Sequence, residues 1–139
     1  MPSELAIRAV HQGGMRFEAA CGEHRVSLDY PLQPGPTAGM KPLEMLLSSL
    51  AACAGSTVAL LLGRMKQPLK GLEVRVRASR RDEHPTVLTK IDMEFLLSGQ
   101  GLDPAAVSRA LAQAEERLCP VWAMLKSGTA IAATFKIDA

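Results

Sequence analysis

The sequence predicts an α+β domain with a largely antiparallel sheet and one long buried helix. Three observations carry this. From Met45 to Gly63 the chain has no charged residue, and its apolar positions recur at helical spacing. On both sides of that run, short segments alternate apolar and polar residues and are joined by Gly-containing turns, as antiparallel strands are. The resulting order is three strands, a helix, two strands, two helices and a final strand (βββ-α-ββ-αα-β), which fits the α+β class. At 139 residues, 1–139 is expected to form a single domain with a real core.

The first strand is expected from Glu4 to Val10, with Leu5, Ile7 and Ala9 alternating against Ala6, Arg8 and Val10. Gly13-Gly14 makes a turn. Met15, Phe17, Ala19 and Cys21 then share one face of a second strand, with Arg16 and Glu18 on the other. Gly22-Glu23 turns again, and Val26, Leu28 and Tyr30 alternate with Arg25, Ser27 and Asp29 in a third. Cys21 falls on the apolar face and is expected to be an inert core thiol.

Residues 31–41 hold Pro31, Pro34, Gly35, Pro36 and Gly39, which forbids regular structure and predicts a loop. The central helix starts at Pro42, where a missing N–H costs nothing, and Gly63 with Pro68 stops it. Its stripe is Leu43, Leu46, Leu47, Leu50, Ala54, Val58 and Leu61, and the absence of charge predicts burial nearly all round. A run this apolar must be weighed against a membrane span. Ser48, Ser49, Gly55, Ser56 and Thr57, and the strand-like remainder of the chain, favour a buried helix in a soluble domain. The small residues Ala51-Ala-Cys-Ala-Gly-Ser56 form a narrow waist that suits close packing against a symmetry mate, so a homodimer is expected.

Leu72, Val74, Val76 and Ala78 against Glu73, Arg75, Arg77 and Ser79 predict the fourth strand; Thr89 to Leu97 predicts the fifth. The charged stripes read as a solvated face. Asp103-Pro104 is a helix start, with Asp as N-cap and Pro at the first helical position. Val107, Ala110, Leu111, Ala114 and Leu118 give that helix one apolar face. Pro120 interrupts it, a short helix follows through Trp122, and Ile131, Ala133, Phe135 and Ile137 form the closing strand.

Composition narrows the function. Lys and Arg total 16 against 14 acidic residues, a net charge of +2 that argues against nucleic acid. His11, His24 and His84 are scattered without metal-ligand spacing. No basic segment followed by a hydrophobic one opens the chain, so its three cysteines read as reduced, cytoplasmic thiols. What remains is thiol chemistry. Cys119 precedes Pro120 and is placed to cap the next helix, where N–H groups and the dipole favour a thiolate. Cys53 sits mid-helix in apolar company, which disfavours ionisation and by itself reads as core.

Pro42-Leu-Glu-Met-Leu-Leu-Ser-Ser-Leu-Ala-Ala-Cys53, followed later by Cys119-Pro120-Val121, resembles the OsmC/Ohr family of osmotically inducible and organic hydroperoxide resistance proteins. Gly13-Gly-Met-Arg-Phe17, Asp29-Tyr-Pro31 and the Pro/Gly loop fit as well, so the resemblance covers essentially the whole chain. It implies an OsmC-like fold: an intertwined homodimer with long central helices inside strongly curved sheets. It also implies a thiol peroxidase, in which Cys53 is oxidised by a hydroperoxide to a sulfenic acid and Cys119 closes a disulfide on it. No resident cofactor is implied; the reductant is an external dithiol such as a lipoyl group. Against the local reading of Cys119, the resemblance makes Cys53 the nucleophile.

One departure stands out. Peroxidase branches of that family carry Glu directly after the proline corresponding to Pro42, where it holds an Arg over the reactive thiolate. Here that position is Leu43, and Glu44 comes one later. At about 100° per residue, Leu43 lies ~80° from Cys53 around the helix and Glu44 ~180° away. Glu44 is thus a candidate with the wrong helical phase. Arg16, with Arg25 as the alternative, is the candidate cation. Two functions follow: a peroxidase acting through Cys53 and Cys119, or a non-peroxidase dimer binding a small apolar or thiol-bearing ligand at the interface cleft.

Overall fold

The computed structural model describes residues 3–138, with β1 (Arg8–His11), β2 (Phe17–Cys21), β3 (His24–Leu28), α1 (Pro42–Arg64), β4 (Gly71–Arg80), β5 (Leu88–Ser98), α2 (Pro104–Gln113), α3 (Pro120–Lys126) and β6 (Ala130–Asp138). This is the expected α+β order. The chain forms two compact units divided between Leu47 and Ser48.

The N-terminal unit holds the antiparallel sheet β1-β2-β3. The first strand begins at Arg8, not Glu4, and Leu5 and Ile7 before it are exposed. Phe17 pairs with Leu28, Ala19 with Val26 and Cys21 with His24, so the expected apolar face exists. It is not a core, however. No residue of these strands is buried, and Phe17 and Val26 remain 41% and 40% exposed. Cys21, expected to be a core thiol, is exposed at the strand end beside the Gly22-Glu23 turn. Alternation correctly assigned its face, but not its burial.

The loop after β3 is tied back by backbone contacts. Asp29 donates to Met40 (3.1 Å), and the Ala38 N–H donates to the Asp29 carboxylate (3.0 Å). A Cβ at Gly39 would meet the Ser27 carbonyl, so only glycine permits this approach. The loop delivers Pro42 to the start of α1. There the Glu44 carboxylate accepts from the Lys41 N–H (2.8 Å), half of a capping box.

In the C-terminal unit β4 and β5 pair antiparallel, and β6 lies parallel to β5 with Phe95 beside Phe135. Its parallel direction departs from a purely antiparallel meander. The chain reaches β6 only after the helical crossover through α2 and α3, and such a crossover permits a parallel return. Ile91, Met93, Phe95 and Leu97 form the buried face of β5. Lys90, Asp92 and Glu94 face outward, where Lys136–Glu94 (3.3 Å) and Lys90–Asp92 (3.5 Å) are solvent-screened pairs of little energetic weight. Leu50, Ala54, Val58 and Leu62 of α1 are 0% exposed, as are Ala106, Val107 and Ala110 of α2. Each of the larger apolar chains among these contributes about 1.5–3 kcal/mol by its burial. A Cβ at Gly55 would lie 3.1 Å from Val74 Cγ2, so the small waist brings α1 close against β4.

α1 is long and apolar enough to cross a membrane by length and composition, yet it is not buried all round as its lack of charge suggested. Ser49, Ala52, Ser56 and Leu60 form an exposed stripe, with Leu60 54% exposed. Ser48, Ala51, Ala52, Gly55, Ser56 and Ala59, with Leu72 and Val74, line an open groove of about 550 Å³. The helix ends one residue beyond Gly63. Lys66 (φ 57°) takes the left-handed cap, while Lys66 N–H donates to Gly63 and Gln67 N–H to Leu62. Asp103 caps α2 as expected, accepting from the Ala105 N–H (3.0 Å).

Candidate active site

Cys53 and Cys119 both lie in the C-terminal unit, and the Cys53 side chain is among the groups that act on the Cys119 thiol. Cys53 is half-buried in the middle of α1, and its carbonyl also accepts from the Thr57 hydroxyl (2.9 Å). Cys119 is 1% exposed.

Two local features deliver Cys119. Residues Ala114–Leu118, expected to continue α2 as an ordinary helix, instead form a π-helical turn closed by the Cys119 N–H on the Ala114 carbonyl (2.9 Å). Such single turns are frequent at functional sites. Pro120 then forces Cys119 out of helical geometry (φ −87°, ψ 106°) and starts α3. The proline was readable in the sequence; the widened turn before it was not.

At this N-cap position the sulfur faces the Trp122 and Val121 N–H groups, though without a cap hydrogen bond of good geometry. Helix placement was expected to make Cys119 the more acidic thiol. The opposite holds. Burial pushes the Cys119 thiol up to about 11; the Trp122 N–H opposes this, the Cys53 side chain adds to it, and the Val121 N–H opposes it weakly. Cys119 is therefore a protonated thiol at neutral pH.

Linkage gives this a measurable sign. In the unfolded chain a thiol titrates near ~8.5. Above that pH the unfolded state loses its proton while folded Cys119 keeps it, so the folded state binds more protons and stability falls with rising pH. The loss runs from ~8.5 to about 11, then levels. Urea titration of the reduced protein should show wild type losing stability across this window more steeply than Cys119→Ala. Parallel losses would contradict the assignment.

The remaining candidates lie elsewhere. Arg16 sits at the turn before β2, its N–H donating to Gly13 (3.0 Å), and Arg25 pairs with Glu18 (3.0 Å) on the sheet face opposite Cys21. Both belong to the N-terminal unit, so the C-terminal unit does not itself supply a candidate arginine from this pair. Glu44 serves as the helix-capping acceptor described above. Glu44→Ala is expected to cost about 1 kcal/mol of stability, and Glu44→Gln much less because glutamine accepts the same bond. Equal stabilities by urea denaturation would remove that role. Trp122 was not singled out for chemistry by sequence, yet its buried indole N–H has no hydrogen-bond partner.

The family described as OsmC-like protein matches residues 35–134, the stretch that carries both thiols. The chain belongs to the OsmC-like family. Among curated relatives of this OsmC-like chain, Protein YhfA of Escherichia coli (strain K12) is 32% identical over 98 residues, covering 70% of this chain and 73% of that protein. The crystal structure of an OsmC like protein from Mycoplasma pneumoniae covers 100% of both chains with a TM-score of 0.86 at 22% identity. An organic hydroperoxide resistance protein from Elizabethkingia anophelis covers 99% of both chains with a TM-score of 0.71 at 16% identity. At such identities the two structures establish the OsmC-like fold alone.

Proposed function

We propose that this protein is a thiol-dependent peroxidase that reduces organic hydroperoxides through Cys53 and Cys119. The observation that carries the reading is the pair of thiols in one unit, Cys53 half-buried in the middle of α1 and Cys119 wholly buried at the start of α3, with the Cys53 side chain acting on the Cys119 thiol. The Cys53 thiolate attacks the terminal hydroperoxide oxygen and the O–O bond breaks. The alcohol leaves once its alkoxide is protonated, and Cys53 becomes a sulfenic acid. The Cys119 sulfur then attacks the Cys53 sulfur; the sulfenic hydroxyl leaves as water and a disulfide forms. An external dithiol reduces it, becoming a disulfide itself and restoring both thiols. Membership of the OsmC-like family, whose structural likenesses include a protein named for organic hydroperoxide resistance, supports this oxidative-stress role.

The test is turnover of an alkyl hydroperoxide, beside hydrogen peroxide, with dihydrolipoamide, dithiothreitol or glutathione as reductant. Consumption with a dithiol is expected. Leu43, in place of the Glu of peroxidase branches, favours a second reading: a dimer that binds a small apolar or thiol-bearing ligand. No consumption with any dithiol would leave that reading standing.

The working form is proposed to be a homodimer. The uncovered apolar face of β1-β2-β3 and the 550 Å³ groove along the small-residue waist of α1 both call for a covering surface, and a second copy supplies one. Light scattering at micromolar concentration should give twice 14.9 kDa; a 14.9 kDa particle would exclude the dimer.

A further inference from the structure

We infer that Lys126 is a positioning residue for Cys119: its ammonium group holds the π turn at Ala114–Leu118 in the register that places this cysteine. A direct bond motivates this. Lys126 Nζ, in the last turn of α3, donates to the Glu115 carbonyl inside the π turn at 3.1 Å.

The backbone explains why that carbonyl takes a donor from another helix. In an α-helix it would accept from the N–H four residues on, which is that of Cys119. Here the Cys119 N–H donates instead to the Ala114 carbonyl (2.9 Å), five residues back. A continued π ladder would offer Glu115 the N–H of residue 120, but Pro120 has none. Both backbone partners are thus denied to one carbonyl, and Lys126 stands in for them. Lysine side chains cap the last carbonyls of helices in this way.

The clamp bears on Cys119 because its backbone is gripped on both sides. Its N–H is held by the π turn, and its own carbonyl accepts from the Ala123 N–H of α3 (3.0 Å). Lys126 ties the far end of α3 back to the turn, closing a loop from residue 115 to residue 126 with Cys119-Pro120 at its corner. Without Lys126, the Glu115 carbonyl is left to recapture the Cys119 N–H in the ordinary α register. The two registers differ by one residue, ~100° of rotation and ~1.5 Å of rise. A change of that size would displace a side chain that is now 1% exposed. Lys126 itself is exposed, so replacing it disturbs no core packing. The consequence for rate rests on the peroxidase reading: disulfide closure, which uses Cys119, depends on the clamp, whereas oxidation of Cys53 on α1 does not.

The experiment compares wild type, Lys126→Met and Lys126→Arg as reduced full-length proteins. Methionine keeps the reach and removes the donor; arginine restores a donor. Hydrogen exchange of the Cys119 amide, followed by NMR, should quicken about 5-fold in Lys126→Met, the effect of losing one ordinary hydrogen bond, with the β5 amides unchanged. Arginine should return it to the wild-type rate. After one equivalent of alkyl hydroperoxide, Lys126→Met should form the Cys53 sulfenic acid at the wild-type rate but close the disulfide about 5-fold more slowly, leaving more of it to dimedone. Arginine should recover closure as well. Wild-type exchange at Cys119 in Lys126→Met, a rise that arginine does not reverse, or an equal rise at the β5 amides overturns the clamp. Faster Cys119 exchange with unchanged closure overturns its role in positioning the thiol. If wild type forms neither sulfenic acid nor disulfide, the peroxidase reading falls, and exchange at Cys119 still decides whether Lys126 holds the turn.

Discussion

Cys53→Ser is expected to abolish hydroperoxide consumption, by at least about 10³-fold, since a missing nucleophile cannot be replaced by its positioning groups. The variant should stay folded. Cys53 is only half-buried, and serine keeps its size, while the apolar stripe of Leu50, Ala54 and Val58 beside it is untouched. Cys21→Ser is the matched control. Cys21 is exposed at the end of β2 in the other unit, so this change should leave turnover at the wild-type rate. If Cys21→Ser and Cys53→Ser lose activity alike, the assignment of the nucleophile to α1 is wrong.

Leu43→Glu is expected to accelerate oxidation of Cys53 by about 10- to 100-fold, the worth of one to two pK units of added stabilisation of a charged form. Peroxide attack needs a thiolate, and a thiolate in the charge-free stretch from Met45 to Gly63 needs a cation nearby. In the peroxidase branches that this sequence resembles, a Glu at the Leu43 position holds that cation. Glu44 is not a ready substitute. α1 runs unbroken from Pro42 to Arg64, so residue 44 keeps its helical phase, and its carboxylate accepts from the Lys41 N–H. Stopped-flow oxidation of the reduced proteins separates the cases. Acceleration in Leu43→Glu with little change in Glu44→Gln supports the phase argument. Loss of reaction in Glu44→Gln with no effect of Leu43→Glu would mean that Glu44 has taken the role.

Much of the architecture was legible because it is written in local periodicity. The span of α1, the strand pair β4 and β5, the Asp103 cap and the break at Pro120 depend only on residues close in sequence. The parallel pairing of β6 with β5 was not legible, since register across a crossover is set by packing, not by either strand's own alternation. Nor did alternation reveal that Phe17, Val26 and Cys21 stay open: a period of two identifies a face without saying what covers it. The two candidate thiols stood out through their flanking residues, but the protonation of Cys119 did not. For Cys119 the sequence displayed a helix N-terminus and concealed its burial, and burial is the larger effect. The π turn at Ala114–Leu118 left no periodic signature.

The most direct measurement is a cysteine map of the reduced protein after one equivalent of alkyl hydroperoxide, read by peptide mass spectrometry without reductant. The account predicts an intramolecular Cys53–Cys119 disulfide as the dominant product, with Cys21 still alkylatable. A dominant link to Cys21, or all three cysteines remaining free thiols, would contradict it.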